Sequence, residues 1–370
     1  MALSRVVLTN FRNIAHADVE LDGVVHLFCG ANGSGKTSLL EAVHTLGSGR
    51  SFRSRQSQSL IRYGEESLAV FGRLRSGVAL GVEKLRDGKG RIRINQLPAS
   101  SSSELAACLP LQVINSDSFS ALDGGPGVRR QLLDWTVFHV EHSFSAQWKV
   151  YQSALKQRNA LLRRGKIDSN LLAPWEQQLL SAGEVVHRGR YEVFQRLKVL
   201  FRARLDELPR DVFGDLDVQY RSGWKRELSL ADALQSSRSG DCDQGFTRVG
   251  PHRADLRFTI NGQPAEAVLS RGQQKMAVCA LRTAMAATVG ATERPLFLVD
   301  DLPAELDEAN QALFARWVRD TASQVLVTGI DPKTTQRAWS ALDGAWGDPQ
   351  MFHVEHGRIE CIGQGVDQGD

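Results

Sequence analysis

One segment of eight residues constrains the fold of this chain more than any other feature. From Gly30 to Thr37 it reads Gly-Ala-Asn-Gly-Ser-Gly-Lys-Thr, which matches the pattern G-x-x-x-x-G-K-[ST] without a mismatch. An apolar run, Val24 to Cys29, precedes it, and apolar residues at helical spacing follow it. A glycine loop between a strand and a helix directs backbone N–H groups and the positive helix end at phosphates. The segment therefore predicts a P-loop within an α/β fold.

The P-loop residues have separate expected roles in binding ATP with Mg²⁺. Lys36 supplies a mobile cation near the β- and γ-phosphates, and Thr37 ligates Mg²⁺ through its hydroxyl. The backbone around them wraps the phosphates. The predicted nucleotide-binding residues of this segment are Gly30, Ala31, Asn32, Gly33, Ser34, Gly35, Lys36, Thr37 and Ser38.

A second motif supplies carboxylates. The apolar run Leu296 to Val299 is followed at once by Asp300 and Asp301. This pattern is typical of a buried parallel strand that delivers acidic side chains at its carboxyl end. We expect Asp300 to hold Mg²⁺, directly or through water. We expect Asp301, with Lys36, to act in catalysis by orienting or polarising the attacking water.

A third motif is the start of a helix that runs to about Val289. It reads Ser270, Arg271, Gly272 and Gln273, and Ser270 is the expected N-cap. A serine hydroxyl, a glycine N–H and a helix dipole together form an anion site. A chain with a P-loop and this second phosphate-seeking helix start resembles the ATP-binding-cassette class. That resemblance implies that the serine segment meets the ATP of a second copy, so that ATP is buried between two protomers.

Further motifs narrow the resemblance, because they occur in one order and at one spacing. They are Asn10-Phe11-Arg12-Asn13, Ser51-Phe52-Arg53, Gly124-Gly125-Pro126, Gly250-Pro251-His252-Arg253 and the segment Asp301 to Asp307. This ordered set resembles the RecF family of bacterial recombination mediators over essentially the whole chain. The resemblance implies that Arg12, Asn13 and Asp307 contribute to nucleotide binding, with Asp307 in a loop that faces the partner protomer. It also implies that Gln112 is the metal-sensing glutamine.

Two positions depart from the pattern of cassette ATPases. Thr328 stands where many of them place a histidine that contacts the γ-phosphate, and Asp301 replaces their usual glutamate. A shorter carboxylate and no histidine predict slow hydrolysis. The chain is therefore expected to use a weak, DNA-dependent ATPase activity as a switch rather than as a motor.

The positions of these motifs predict the domain organisation. Lys36 and Asp300 are far apart in the sequence yet must share one Mg-ATP, so much of the intervening chain must leave the ATPase head and return. We expect an α/β P-loop ATPase of the cassette type. Its head is built from residues 1–115 and 246–370, and a mainly helical lobe, residues 116–245, is inserted. A proline at 174 is expected to end one helix of this lobe and begin another.

Charge is distributed unevenly, although 45 basic and 42 acidic residues leave a net charge of only +3. Within the expected lobe, the segment Lys149 to Lys166 contains six basic residues and no acidic one. They are Lys149, Lys156, Arg158, Arg163, Arg164 and Lys166, and the basic excess continues with Arg188, Arg190, Arg196, Lys198, Arg202 and Arg204. Cations concentrated on one element form a surface for a phosphate backbone, with salt-sensitive affinity. The pattern predicts sequence-independent DNA binding, although a single basic run can also be an ordinary solvated helix face.

Composition sets the remaining limits. No stretch approaches the roughly 18 uninterrupted apolar residues of a membrane helix, so we expect a cytoplasmic protein with no membrane partner. The five cysteines lie far apart and form no CxxC pair, which argues against disulfides and a zinc ribbon. They are expected to be reduced and mostly buried.

Together these features predict that ATP closes two heads into a DNA-holding homodimer and that hydrolysis reopens it. The family resemblance implies more: action on double- and single-stranded DNA at gaps and junctions, RecO and RecR as partners, and promotion of RecA loading. Two other classes stay open. A transporter ATPase subunit would need a membrane partner, and a nuclease-linked DNA end processor would need a metal cluster.

Overall fold

The computed structural model of the chain describes residues 2–54, 56–164, 169–291, 293–340 and 346–362. Its strands follow the β-branched and apolar runs of the sequence. In chain order they are β1 Leu3–Phe11, β2 Ile14–Glu20, β3 Val25–Cys29, β4 Ser67–Leu74, β5 Ala79–Leu85, β6 Gly90–Ile94, β7 Leu97–Pro98, β8 Leu111–Ile114, β9 Leu216–Arg221, β10 Asp255–Ile260, β11 Gln263–Pro264, β12 Leu296–Val299, β13 Gln324–Gly329, β14 Gln350–Glu355 and β15 Arg358–Ile362.

The helices fall mainly where apolar residues recur at helical spacing. In chain order they are α1 Lys36–Ser48, α2 Ser102–Cys108, α3 Pro126–Val140, α4 Phe144–Leu162, α5 Ser169–Leu205, α6 Arg210–Phe213, α7 Leu230–Gln244, α8 Ala265–Val268, α9 Arg271–Val289, α10 Leu302–Glu305, α11 Glu308–Thr321 and α12 Pro332–Ser340.

The chain divides into two units. The head unit comprises Met1–Phe119 with Val278–Asp370, and the arm unit comprises Ser120–Ala277. The first boundary lies close to the expected residue 116, but the second lies well beyond residue 245. The second boundary lies later because strand β10, which follows residue 245, pairs antiparallel with β9 of the arm unit. That unit is therefore helices plus the three-stranded sheet β11-β10-β9.

In the head unit, a mostly parallel sheet with strand order β15-β14-β3-β13-β12-β8 carries the P-loop and the carboxylate motif. The P-loop follows β3, and Asp300 follows β12, with β13 parallel to both strands and between them. Carboxyl ends of parallel strands meet at one edge of a sheet. Strand pairing therefore brings the two motifs together although they are distant in sequence.

The core of the head unit lies between this sheet and a second, antiparallel one, in which β1 pairs with β2 and β4. Helix α1 contributes Leu39, Leu40, Val43 and Leu46, all fully buried. Leu3 of β1 also exchanges two backbone hydrogen bonds with the buried side-chain amide of Gln324. This packing fixes α1, whose first turn is part of the P-loop motif.

Helix α5 of the arm unit differs from the prediction at Pro174. The proline lies inside one continuous helix, Ser169–Leu205, instead of separating two. It comes five residues after the helix starts, where the ring removes a single hydrogen bond of the i to i−4 ladder. Leu179 and Ala182 of α5 pack on Tyr151 of α4, and this apolar contact stabilises the helix.

The end of the head unit and the cysteines complete the description of the fold. The segment Met351 to Ile359 lies in the hairpin of β14 and β15, because His356 and Gly357 adopt positive φ and turn the chain. The cysteines are free thiols, as expected, but Cys361 is exposed. Only Cys29 and Cys279 are buried.

Candidate nucleotide-binding site

The P-loop glycines are required by close backbone contacts. A Cβ atom on Gly30 would lie 2.1 Å from the carbonyl oxygen of Val354 in β14. Gly33 and Gly35 have φ of 78° and 120°, a region that favours glycine. The loop backbone is also held from outside, since Gly357 donates its N–H to the Ser34 carbonyl at 2.7 Å. The loop is thus tightly constrained before any ligand binds.

A buried polar atom in this loop fits a phosphate ligand. Ser34 is only 6% exposed, and its Oγ has no hydrogen-bond partner among the residues that the structure describes. Unpartnered buried polar atoms are rare and call for an explanation, such as a bound ion or ligand. A triphosphate in the loop would supply acceptor oxygens to this hydroxyl and to the surrounding N–H groups.

Lys36 is 8% exposed and turns back on its own loop. Its Nζ donates to the carbonyls of Gly30 at 2.8 Å and Ala31 at 2.9 Å. Burial lowers the pKa of Lys36, and the charges of Asp301 and Asp300 act in the opposite direction. An ammonium group held by two carbonyls has a third donor left, and phosphate oxygens are stronger acceptors for it. The Lys36 ammonium group can therefore bind a phosphate group.

Thr37 and Asp300 meet although they are 263 residues apart. The Thr37 hydroxyl donates to Asp300 Oδ1 at 2.9 Å. The described residues contain no group of three or more His, Cys, Asp or Glu side chains fit to hold a metal. Mg²⁺ in nucleotide sites needs no such cage, since one or two protein oxygens plus phosphates and water complete its octahedron. The Thr37 hydroxyl and the Asp300 carboxylate are suitable donors and would hold the ion.

Thr328 connects the two neighbouring aspartates. The register of β12 and β13 pairs Val299 with Val327, which sets Thr328 beside the end of β12. The Thr328 hydroxyl donates to Asp300 Oδ1 at 2.7 Å and accepts from the backbone N–H of Asp301 at 3.0 Å. In the sequence this position shows only that a histidine is absent. Its side chain is fully buried and anchors the acidic motif.

Asp301 lies directly after this anchored carboxylate, in the left-handed backbone region with φ 52° and ψ 46°. Partial burial raises the pKa of Asp301, the charge of Asp300 raises it further, and Lys36 opposes both. A carboxyl group with a raised pKa is a better proton acceptor than an ordinary aspartate. Its position and basicity fit the expected role of orienting the attacking water.

Asn13 and Arg12 differ in their contacts. Asn13 touches the P-loop: its Nδ2 donates to the Gly33 carbonyl at 3.3 Å, and its Oδ1 accepts from the Ser38 hydroxyl at 2.9 Å. Arg12 forms a two-pronged ion pair with the buried Glu41 of α1, at 2.8 and 2.9 Å. Asn13 therefore supports the loop directly, whereas the nucleotide contact implied for Arg12 stays a prediction.

Gln112 does not lie at the site, which corrects its expected role as a metal-sensing residue. It is opposite Phe297 in the interior of the pairing between β8 and β12. Its Oε1 accepts from the guanidinium of Arg282 at 3.1 Å, and burial lowers the pKa of that arginine to about 10. The amide is used inside the fold because it points from the strand interior rather than from the carboxyl edge.

The serine segment belongs to the arm unit and starts α9 as predicted. Ser270 Oγ accepts from the N–H of Gln273, and Ser270 N–H donates to Gln273 Oε1 at 2.8 Å. This reciprocal pair is a capping box. Ser270, Arg271 and Gly272 are exposed. Gln273 thus has a local structural role, and the other three present their polar groups to solvent.

Asp307, expected near a partner protomer, caps helix α11 in the head unit. Its carboxylate accepts from the N–H of Asn310 at 2.9 Å and from the Asn310 side chain at 2.8 Å. The residue is exposed. Its contact with nucleotide stays a prediction.

The basic residues that the sequence predicts to face DNA fall into three groups. Two arginines expected at the DNA surface are fully buried: Arg158 pairs with Asp241 and Glu176, and Arg190 pairs with Asp134. Lys198, Arg202 and Arg204 each pair with a nearby carboxylate. The exposed ones are Lys149, Lys156, Arg163, Arg164, Arg188 and Arg196. Lys166 lies outside the described residues.

The buried arginines correct the reading of the basic run. The cations of one stretch of helix are distributed over all faces of that helix, so some of them point into the interior. Arg158 also donates to Thr247 at 2.8 Å, and the Arg190 guanidinium lies over the Trp148 ring at 4.8 Å. These contacts make the two residues part of the arm core.

No helix in the described part of the chain is long and apolar enough to cross a membrane.

Comparison with known sequences agrees with the site geometry. Residues 2–346 match the family described as RecF/RecN/SMC N terminal domain. A relative from Cellvibrio japonicus (strain Ueda107), named DNA replication and repair protein RecF, is 41% identical over 367 residues, or 98% of this chain and 100% of the relative. A relative of the same name from Pseudomonas paraeruginosa (strain DSM 24068 / PA7) is 43% identical over 365 residues, 97% of each chain.

Solved structures show the same fold. The recombination mediator protein RecF with ATP, described as part of the RecFOR pathway, is similar with a TM-score of 0.84 at 24% identity, over 98% of both chains. An Smc head bound to the C-winged helix domain of ScpA is similar with a TM-score of 0.55 at 15% identity, over 100% of this chain and 99% of that one. The predicted fold class, an α/β P-loop ATPase head with an inserted lobe, is confirmed. The family match and the sequence identities together show that the chain belongs to the RecF family of DNA replication and repair proteins.

Proposed function

We propose that the chain is an ATP-dependent DNA-binding switch of recombinational repair and replication restart, acting in the cytoplasm. The observation that carries this proposal is the contact of Thr37 with Asp300 beside the buried Lys36. It joins a hydroxyl, a carboxylate and a cation from the two ends of the chain in the arrangement that Mg-ATP requires. The names of the relatives point to the same process.

Each residue of the site then has one task in the ATP-bound state. Lys36 exchanges its carbonyl partners for the β- and γ-phosphates, and the P-loop N–H groups and Ser34 hold the remaining oxygens. Mg²⁺, when bound, neutralises developing charge on the transferred phosphoryl group. Asp301 orients the water that attacks. Because the short carboxylate of Asp301 orients this water without a histidine at position 328, hydrolysis is slow. Its rate therefore sets how long the ATP-bound state lasts.

The dimer is the second part of the proposal. Ser270 and Gly272 are exposed at the start of α9, where a hydroxyl, N–H groups and the helix dipole favour an anion. We assign this anion to the γ-phosphate of ATP bound by a second copy, with Asp307 near the same contact. Two such contacts would close a head-to-tail homodimer, and hydrolysis would open it.

DNA is the partner held by this dimer. The exposed cations Lys149, Lys156, Arg163 and Arg164 lie on or just after α4 and provide phosphate contacts without base readout. The family resemblance adds the finer assignment: binding at gaps and single-strand/double-strand junctions, cooperation with RecO and RecR, and promotion of RecA loading. A transporter ATPase subunit, the other class considered from the sequence, would have no use for this basic surface, and the family match argues against it.

A DNA-binding titration against salt, with and without ATP, tests the proposal. We expect ATP to raise the affinity for duplex DNA, and the logarithm of the binding constant to fall linearly with the logarithm of salt concentration. Lys36→Met should remove the effect of ATP and leave the salt slope unchanged. Binding that is absent at low salt, or that is unchanged by both ATP and Lys36→Met, would contradict the proposed ATP-dependent DNA switch.

A further inference from the structure

The arm unit contains a large cavity that the ATPase site does not use. It has a volume of about 1080 Å³ and lies between α5, β9 and the loop that leads from β9 to α7. Small-molecule sites rarely exceed roughly 1,000 Å³, so this groove is suited to an extended ligand. We call it the arm groove; its lining comes from one side of α5 between Glu184 and Lys198 and from the segment between Asp217 and Leu230.

Aromatic rings form one part of its lining. Tyr220 stacks on His187 with centroids 5.7 Å apart, and Trp224 meets the same histidine edge-on at 4.8 Å. Tyr191 is 49% exposed and tilted by 40° from His187, with centroids 6.2 Å apart, so nothing covers its ring in a stacked arrangement among the described residues. A half-exposed tyrosine beside a cluster of rings is a platform for another planar group.

Cations form the other part. Five basic and three acidic side chains line the arm groove, and one acid, Asp217, is already paired with Lys198 at 2.7 Å. Four of the basic residues are exposed and form no ion pair within the described part of the chain. They are Arg188, Arg221, Lys225 and Arg226. The groove thus keeps unpaired positive charge beside its aromatic wall.

We propose that the arm groove binds single-stranded nucleic acid. Bases would stack on Tyr191 and its neighbouring rings, and phosphates would pair with the cations, which is how proteins hold single strands without reading sequence. A duplex does not fit this chemistry, because its base faces are already stacked on each other. An acidic peptide would satisfy the cations but would leave the aromatic wall without a partner. The inference rests on the proposed function and deepens it, since it assigns one type of strand to one groove.

The test measures binding of a fluorescein-labelled oligothymidylate strand to the whole chain by fluorescence anisotropy. We expect Tyr191→Ala and Arg226→Gln each to weaken binding about tenfold. Arg210→Gln should leave it unchanged, because Arg210 is an exposed cation of the same unit outside the groove. Trp224→Phe keeps a ring in place and should reduce the quenching of tryptophan fluorescence by the strand. Thermal melting of each variant confirms that it is folded.

A strand of the same length built from abasic units separates stacking from charge. We expect it to bind the unsubstituted protein about tenfold more weakly and to be insensitive to Tyr191→Ala. Equal binding of the abasic and natural strands, or displacement of the natural strand by polyglutamate in preference to unlabelled oligothymidylate, would overturn the inference. Either result would show that the groove recognises charge alone, as on an acidic protein segment.

Duplex binding and ATP-dependent dimerisation are measured on the same preparations. If both are intact and Tyr191→Ala binds the single strand as tightly as the unsubstituted protein, the arm groove is not the site and the proposed function stands. If ATP causes no dimerisation while single-strand binding still depends on Tyr191, the proposed function is wrong and the groove assignment stands.

Discussion

The hydroxyl of Thr328 donates a hydrogen bond of 2.7 Å to Oδ1 of Asp300, the carboxylate assigned to Mg²⁺. The same hydroxyl accepts a bond of 3.0 Å from the N–H of Asp301. One buried side chain of β13 therefore positions both acids at the end of β12. A site built in this way depends on the neighbouring strand for the orientation of its metal ligand, since a hydrogen bond to a ligating carboxylate holds that carboxylate in place.

Replacing Thr328 by valine tests this dependence. Valine keeps the shape and removes both hydrogen bonds, so we expect the concentration of Mg²⁺ needed for half-maximal ATP hydrolysis to rise about tenfold. Unfolding should cost about 1–3 kcal/mol less, because a buried N–H and a carboxylate lose a partner. Thr328→Ser keeps the hydroxyl and serves as the control. An unchanged Mg²⁺ requirement in the valine variant would show that Asp300 needs no such support.

Asp301→Asn should have opposite effects on stability and on ATP hydrolysis. Burial and Asp300 raise the pKa of Asp301 in the folded protein above its ordinary value of 3.8. The folded state therefore holds this proton more tightly, and the resulting stability is present below pH 3.8 and is lost as the pH rises through the raised folded pKa. Asparagine carries no charge and tolerates the left-handed backbone at this position.

We therefore expect Asp301→Asn to abolish hydrolysis and to raise the melting temperature near neutral pH. The gain should shrink as the pH falls through the carboxyl range. Asp22→Asn, at an exposed carboxyl of the same unit, is the control and should change neither property. A variant that melts below the unsubstituted protein at every pH would contradict the assigned burial effect.

Gly30→Ala should destabilise the head unit. The added Cβ would lie 2.1 Å from the Val354 carbonyl, and a backbone oxygen of β14 cannot withdraw without separating β14 from β3. Overpacking of this kind costs about 1–3 kcal/mol. Gly81→Ala is the matched control, because its nearest heavy atom would be 3.9 Å away. Denaturant unfolding measures both, and equal midpoints would rule out the close contact.

Two residues of α4 allow a matched comparison of burial and exposure. Arg158 is fully buried between Asp241 and Glu176, whereas Lys156 is exposed. We expect Arg158→Met to lower the free energy of unfolding by about 3–5 kcal/mol, because Asp241 is left buried without its main partner. Lys156→Met should change stability by no more than about 0.5 kcal/mol and should weaken DNA binding. The reverse pattern would show that Arg158 belongs to the DNA surface after all.

Much of the site could be predicted from sequence because its motifs are local. The P-loop and the Asp300-Asp301 pair each carry their own strand and turn signals, and parallel pairing then leaves only one edge where they can meet. Ser270 was predictable as an N-cap for the same reason, since capping depends on residues within one turn.

The remaining features depend on which face of an element turns inward, and this is decided by distant residues. The basic run of α4 does not reveal that Arg158 points at Asp241, 83 residues later. Gln112 has the right residue type but the wrong register, because its strand ends at Ile114. The role of Thr328 required the pairing of β12 with β13, and the boundary of the arm unit required the pairing of β9 with β10.

We propose that the site in which Lys36 of one copy holds ATP is completed by Ser270 of another copy, and a mixing experiment tests this arrangement most directly. The mass of the protein with a slowly hydrolysed ATP analogue and Mg²⁺ is measured by sedimentation. We expect Lys36→Met and Ser270→Arg each to be monomeric and Ser270→Thr to dimerise. A mixture of the first two variants should form dimers again, because one composite site in the mixed dimer is intact. A mixture that stays monomeric, or dimers formed by Ser270→Arg alone, would contradict it.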